Sequence, residues 1–312
     1  MPQWIREAEL AFQAIFEGMG ISSPRRSAIY YIYLIKNSPT SFSKLVDDAK
    51  SKSLISAAKL RQGRENLMDM GIVGKVLLPH GLSQNEINSA LGREFYLPAN
   101  PSVVWDSSKN KLLKEFDETA IERMCEEISC LFDIYTKKFG HCGINLDLWF
   151  NEYNVCKNNG VGKLSMTLHY SGMWVVYNIL SNMKTISNLD LMLGGERTFD
   201  DSQMGYFRQM LNNNLKIRIL FDERNGNQIK NAKILKDDYD GLIKIKYNPR
   251  PRSGTCRRTI LDNKIAFDGR KLLQDYGRKP SYVGTMYLHD EYCIGLLQDN
   301  FNALWDEGEE LE

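Results

Sequence analysis

The 312-residue chain has no excess of charge of either sign, because 40 Lys and Arg stand against 39 Asp and Glu for a formal net charge of +1. A uniform basic coat is excluded, although local basic patches are not. No run of about 18 apolar residues occurs, since Lys, Asp or Asn interrupts every candidate, and no membrane span is expected. Histidine is scarce, at His80, His141, His169 and His289. Cysteine is little commoner, and Cys125, Cys130, Cys142, Cys156, Cys256 and Cys293 include no CxxC pair. Thiols scattered through a chain this long point to free cysteines in a reducing compartment rather than a disulfide framework. His141, Cys142 and Cys156 lack the second close pair that a zinc site needs, so no metal and no cofactor is expected. The start, Met1-Pro2-Gln3-Trp4-Ile5-Arg6-Glu7, lacks the basic opening and apolar core of a signal peptide, and a cytoplasmic protein is expected. What remains is ordinary: 43% hydrophobic and 25% charged residues, which excludes wholesale disorder. The length suits two domains or three at ~100–200 residues each.

Residues 4–18 predict an amphipathic helix through Ile5, Leu10, Phe12, Ile15 and Phe16. A second helix spans 25–36, and Ser41 caps a short one through Leu45 and Val46. After the polar turn Lys50-Ser51-Lys52-Ser53, a longer helix runs from about Leu54 to Met70, with Gly71 at its stop. Strands at 72–78 and 93–98 complete a layout of helices running into a β-hairpin, that of a winged helix-turn-helix. Between Ala49 and Arg64 stand five basic residues (Lys50, Lys52, Lys59, Arg61 and Arg64) and no acid. On the expected recognition helix and its approach, Lys50, Lys52, Ser53, Ser56, Lys59, Arg61 and Gln62 are the candidate contacts to bases and phosphates of double-stranded DNA. Arg25 and Arg26 at the second helix start, with Lys75 and Arg93 on the wing, add candidate phosphate contacts. The competing reading is a solvated basic helix face.

A polar linker is expected at 106–111. Beyond it Ile121, Met124, Ile128, Leu131 and Tyr135 step by three and four along a helix over 117–139. This seam either dimerises or packs on its own domain; dimerisation is the expectation, because winged-helix repressors bind paired half-sites. The remainder alternates helices and strands, which predicts an α/β layer with a largely parallel sheet. The acidic tail 306–312 is expected to be solvated and frayed. Asn159-Gly160-Val161-Gly162-Lys163 departs from the P-loop pattern at two places, since position 157 is Lys157 and Leu164 follows the lysine.

The N-terminal segments Ala28-Ile29-Tyr30, Ser53-Leu54-Ile55-Ser56, Leu67-Met68-Asp69-Met70-Gly71-Ile72-Val73 and Arg93-Glu94-Phe95-Tyr96 resemble the winged-helix domain of archaeal TrmB-type transcription regulators. The stretch Arg257-Arg258-Thr259-Ile260-Leu261-Asp262, with Tyr282-Val283-Gly284-Thr285 and Phe301-Asn302-Ala303-Leu304-Trp305, is similar to the phospholipase-D-like fold appended to many of them. The resemblance implies a winged helix-turn-helix DNA-binding domain at 1–105, a linker and dimerisation helix at 106–140, and a phospholipase-D-like α/β domain at 141–312. Active members of the latter class carry H-x-K-x4-D, with the histidine attacking phosphorus. Setting Asp262 at the motif aspartate places Arg257 at the lysine and Thr255 at the histidine. A threonine hydroxyl is not ionised near neutral pH and cannot shuttle the proton, and none of the four histidines has Lys two residues on, so no enzyme is expected.

What survives is cationic. Arg250, Arg252, Thr255, Arg257 and Arg258 are candidates to hold an anionic effector, against the plainer reading of a solvated sheet edge with Arg257 paired to Asp262. The expected function is a cytoplasmic, homodimeric, sequence-specific transcription regulator whose C-terminal domain dimerises and senses a small anion. The alternatives are a phospholipase-D-class phosphodiesterase or nuclease with an atypical nucleophile, and a winged-helix protein-interaction scaffold.

Overall fold

The N-terminal helices form where apolar residues recur at three- and four-residue intervals, and a computed structural model of the chain shows how they pack. The structure describes residues 3–37, 42–51, 55–77, 94–139, 164–193, 201–222, 226–249, 256–271, 281–288 and 290–311. Contacts divide the chain into two units: Met1–Gly160 with His169–Ser181 and Gly277–Ser281, and Val161–Leu168 with Asn182–Tyr276 and Tyr282–Glu312.

In the first unit α1 (Gln3–Gly18), α2 (Pro24–Asn37), α3 (Phe42–Ser51) and α4 (Ala57–Asp69) precede the antiparallel hairpin β1 (Val73–Leu77) and β2 (Glu94–Pro98). Then come α5 (Pro101–Leu112) and α6 (Glu118–Phe139); further on, α7 (Gly172–Asn182) follows β3 (Leu164–Ser171), a strand whose residues through Leu168 belong to the second unit. Every residue of α2 from Tyr30 to Ile35 is buried, as befits a helix wrapped on all sides. Phe12, Phe16 and Tyr31 meet at centroid separations of 5.0–5.7 Å. Trp174 and Tyr177 of α7 are core.

The Tyr31 hydroxyl donates to the Ala99 carbonyl at 2.7 Å and that of Tyr135 to the Pro98 carbonyl at 3.4 Å, so both phenols anchor the end of β2. Burial pushes the Tyr31 phenol well above its ordinary 10.0, with Tyr135 and Tyr177 nearby adding to the effect, and burial raises Tyr135 likewise. A folded state that keeps a proton the unfolded chain releases is stabilised fully below the unfolded pKa and loses that stability as pH rises beyond it. The unfolding temperature followed by circular dichroism is therefore expected to fall steeply above about pH 10, and Tyr135→Phe to make that fall shallower.

Three sequence expectations for this unit change. The seam of α6 packs on the chain's own α1 and α2, with Ile121, Ile128, Leu131 and Tyr135 buried and Lys138 bonded to the Lys36 carbonyl. The seam expected to dimerise is thus spent within one chain. The expected linker is the second half of α5: the Asn100 side chain accepts from the Ser102 backbone at 3.0 Å, and Pro101 suits the first helical position. Ser107 and the buried Ser108 turn their hydroxyls onto the Val103 and Val104 carbonyls, so their polarity is satisfied within the helix rather than by water in a loop. Finally, α4 starts three residues later than the spacing predicts, because Ser56 is its N-cap, accepting from the Lys59 backbone at 3.4 Å. Gly71 ends the helix as expected, at φ 73°.

In the second unit follow β4 (Asn188–Leu193), α8 (Asp201–Asn212), β5 (Lys216–Phe221), α9 (Gly226–Asp238), β6 (Ile243–Tyr247), β7 (Cys256–Leu261), β8 (Ile265–Lys271), β9 (Ser281–Leu288), α10 (Glu291–Asp306) and β10 (Glu309–Glu310). Its strands are ordered β10-β6-β5-β4-β7-β8-β9. β4, β5 and β6 run parallel, joined by helical crossovers, while β7, β8, β9 and β10 pair antiparallel. The sheet is therefore mixed rather than largely parallel. The reversal after β7 is a tight turn with Asp262 and Asn263 at φ 46° and 56°, residue types that tolerate the left-handed region. The acidic tail is not frayed through residue 311, because Glu309–Glu310 pair with β6 and Leu311 is buried. Mixed helix and strand is thus the fold class, α+β in the first unit and α/β in the second.

Candidate nucleic-acid interface

One side of α4 is fixed inward. Leu60, Gly63 and Leu67 are buried, and α2 comes so close that a Cβ on Gly63 would lie 2.5 Å from the Arg26 carbonyl oxygen, a crossing that requires glycine. The first turns carry Lys59 and Arg61 on either flank of that face, both exposed and in no ion pair among the described residues. Lys50, at the end of α3, is exposed as well. Glu65 and Asp69, also exposed, follow on the later turns, so the cationic surface belongs to the N-terminal half of α4. That half is also where unpaired backbone N–H groups and the helix dipole favour anions.

The other basic residues are engaged to different degrees. Arg64 is a clamp rather than a reader: its guanidinium lies 4.3 Å from the Phe42 ring centroid and 5.4 Å from that of Tyr96, and it donates to the Tyr96 hydroxyl at 3.1 Å. Arg26 is bonded to the side-chain oxygen of Gln62, which commits both expected DNA contacts to holding α4 against α2. Arg25 pairs with Glu9 at 3.0 Å yet keeps its side chain 72% exposed, so a phosphate can compete for it. Ser56 is exposed at the N-cap, and Lys75 is half-buried on β1. Lys52, Ser53 and Arg93 lie outside the described residues. Periodicity singled out the basic helix but carried no signal for the Arg64 clamp, whose rings come from α3 and β2.

In the second unit the expected effector residues come apart. Arg250, Arg252 and Thr255 lie outside the described residues, as does the glycine segment 159–163. Arg258 is buried and structural: its Nε donates to Asp268 at 3.0 Å and an Nη to the Asn300 side chain at 2.7 Å. It is therefore withdrawn as an effector ligand. Arg257 is half-buried on the alternate side of β7. The Asp262 carboxylate accepts from the Ser187 and Asn188 backbone N–H groups at 2.7 and 2.8 Å and from the Asn188 side chain at 2.8 Å. Asp262 thereby ties its turn to the start of β4 instead of pairing with Arg257, which lies five residues or roughly 16 Å back along the strand.

No protein-family model and no curated protein sequence matches the chain. Among solved structures it is similar to the phospholipase D family member Nuc from Salmonella typhimurium, at 13% identity and a TM-score of 0.38, over 47% of this chain and 97% of that one. It is similar to the archaeal chromatin protein TrmBL2, whose structure was described as showing a novel mode of DNA binding, at 14% identity and a TM-score of 0.36, over 92% of this chain and 94% of the other. NucT from Helicobacter pylori aligns at 10% identity and a TM-score of 0.33, over 47% and 99% of the two chains. Among the described residues no helix is long and apolar enough to cross a membrane.

Proposed function

We propose that this chain is a double-stranded-DNA-binding transcription regulator that inserts the N-terminal half of α4 into the major groove. The observation that carries the reading is the division of α4: Leu60, Gly63 and Leu67 lock its inner face to α2, while Lys59 and Arg61, on either flank of that face, stand exposed and in no ion pair among the described residues. Lys50 and Arg25 extend the cationic surface. A helix held this way presents its side chains to a groove at little further ordering cost. In this reading the second unit binds rather than cleaves, since Thr255 at the nucleophile position cannot do the work of imidazole. It also senses a small anion and, with the seam of α6 used internally, provides the contact between two copies on paired half-sites.

The test is titration of the full chain into labelled duplex, followed by fluorescence anisotropy across a salt series. Binding is expected to weaken steeply with salt, as counterion release from several phosphate contacts demands. Selection from random duplex at low salt is expected to return an enriched site. Affinity that does not respond to salt, or a selection that enriches nothing, would overturn the reading.

A further inference from the structure

We infer that the second unit binds a small polyanion bearing phosphate groups in the cavity at the N-terminal ends of β4, β5 and β6. The inference rests on the effector part of the proposed function and not on its DNA contact.

The cavity has a volume of about 700 Å³, within the roughly 300–1,000 Å³ of small-molecule sites. Strand register builds its floor: Asn188 lies opposite Lys216, Asp190 opposite Arg218, and Arg218 opposite Lys244. Alternation along each strand then sets Asp190, Arg218 and Lys244 in one cross-strand row, over which α10 lays Gln298 and Asn302. The turn after β7 closes the side with Asp262, Asn263 and Lys264.

The carboxylates of this wall are already taken. Arg218 grips Asp190 through two bonds of 2.7 and 2.6 Å, Gln298 donates to the same carboxylate at 2.7 Å, and Asp262 is held by Ser187 and Asn188. Arg218 is itself fixed by Asn302 at 3.0 Å and by the rings of Phe301 and Trp305 at 5.0 and 5.4 Å. The floor is thus rigid and polar without any ligand. Lys216, Lys244 and Lys264 remain around it, exposed and in no ion pair among the described residues. Four cations face two committed acids, a local charge of +2. Ammonium groups gathered around one concavity repel one another, and a polyanion seated among them relieves that repulsion. The concave shape suits a compact ligand, whereas a duplex backbone needs an open track.

The test is calorimetric titration of the full chain, free of DNA, with inorganic pyrophosphate at low ionic strength. One-to-one saturable binding is expected. The triple variant Lys216→Gln, Lys244→Gln, Lys264→Gln is expected to lose about a hundredfold in affinity. Each single Lys→Gln variant should lose part of that, so the result does not depend on the triple variant folding. The control pair Lys230→Gln, Lys233→Gln, exposed on α9, should bind as wild type does. Absence of saturable binding, or equal weakening in the control, overturns the inference. So does a triple variant that loses duplex affinity while the wild type shows no pyrophosphate site, because the lysines then serve DNA phosphates. A chain that binds no duplex but retains the pyrophosphate site would sink the DNA reading alone.

Discussion

Reversing two charges on α4, with Lys59→Glu and Arg61→Glu in one chain, is expected to abolish duplex binding at physiological salt and to leave the unfolding temperature unchanged. Both side chains are exposed and neither belongs to an ion pair among the described residues, so the folded state loses no ion pair with them. New carboxylates near the start of a helix interact favourably with its dipole. The cost falls on the complex. Removing a base contact is worth about 1–3 kcal/mol, and each lost phosphate contact lowers the salt slope by about one. Reversal adds repulsion, so the pair should cost about a thousandfold or more. Single alanine variants separate the roles: relaxed preference at one position marks a base reader, and uniform weakening marks a phosphate contact. Unchanged anisotropy curves for the double variant would remove α4 from the interface.

The second large effect is on stability. Arg258→Ala is expected to destabilise the second unit by about 2–4 kcal/mol, read as a lower urea midpoint with an unchanged slope. Arg258 is buried between Asp268 and Asn300, and its removal takes a charged partner from the Asp268 carboxylate and a donor from the Asn300 side chain. The Asp268 side chain is 30% exposed, so water recovers part of the loss, and the figure sits below that of a fully enclosed pair. Arg258→Lys should recover only part of the stability, because an ammonium cannot point two fixed donors at Asp268 and Asn300 at once. If Arg258→Ala unfolded like the wild type, the residue would be free for ligand binding after all.

The elements of the first unit were largely readable from local chemistry. Apolar spacing placed α1, α2 and α6, and Gly71 ended α4 where expected. The errors have physical causes. Ser107 and Ser108 read as linker because a serine that bonds the carbonyl four residues back looks, in sequence, like one that faces water. The α6 seam read as a dimer interface because a heptad pattern states that a face is apolar and not which surface covers it. The antiparallel pairing in the second unit was hidden because helical crossovers and hairpins both leave strands separated by polar turns, and the reversal at Asp262 and Asn263 rests on two φ angles.

By itself the sequence determined the helix periods, the glycine stop, the concentration of basic residues around α4, and that none of the four histidines has Lys two residues on. Each of these depends on residue type and near neighbours. Which cations are committed and which stand exposed was decided by the tertiary structure alone. Arg64 meets Tyr96 across 32 residues, Arg26 meets Gln62 across 36, and Arg258 meets Asn300 across 42. The physical reason is that a charge is spent or available according to what the fold brings within a few ångströms of it, and no local pattern in the chain encodes that distance.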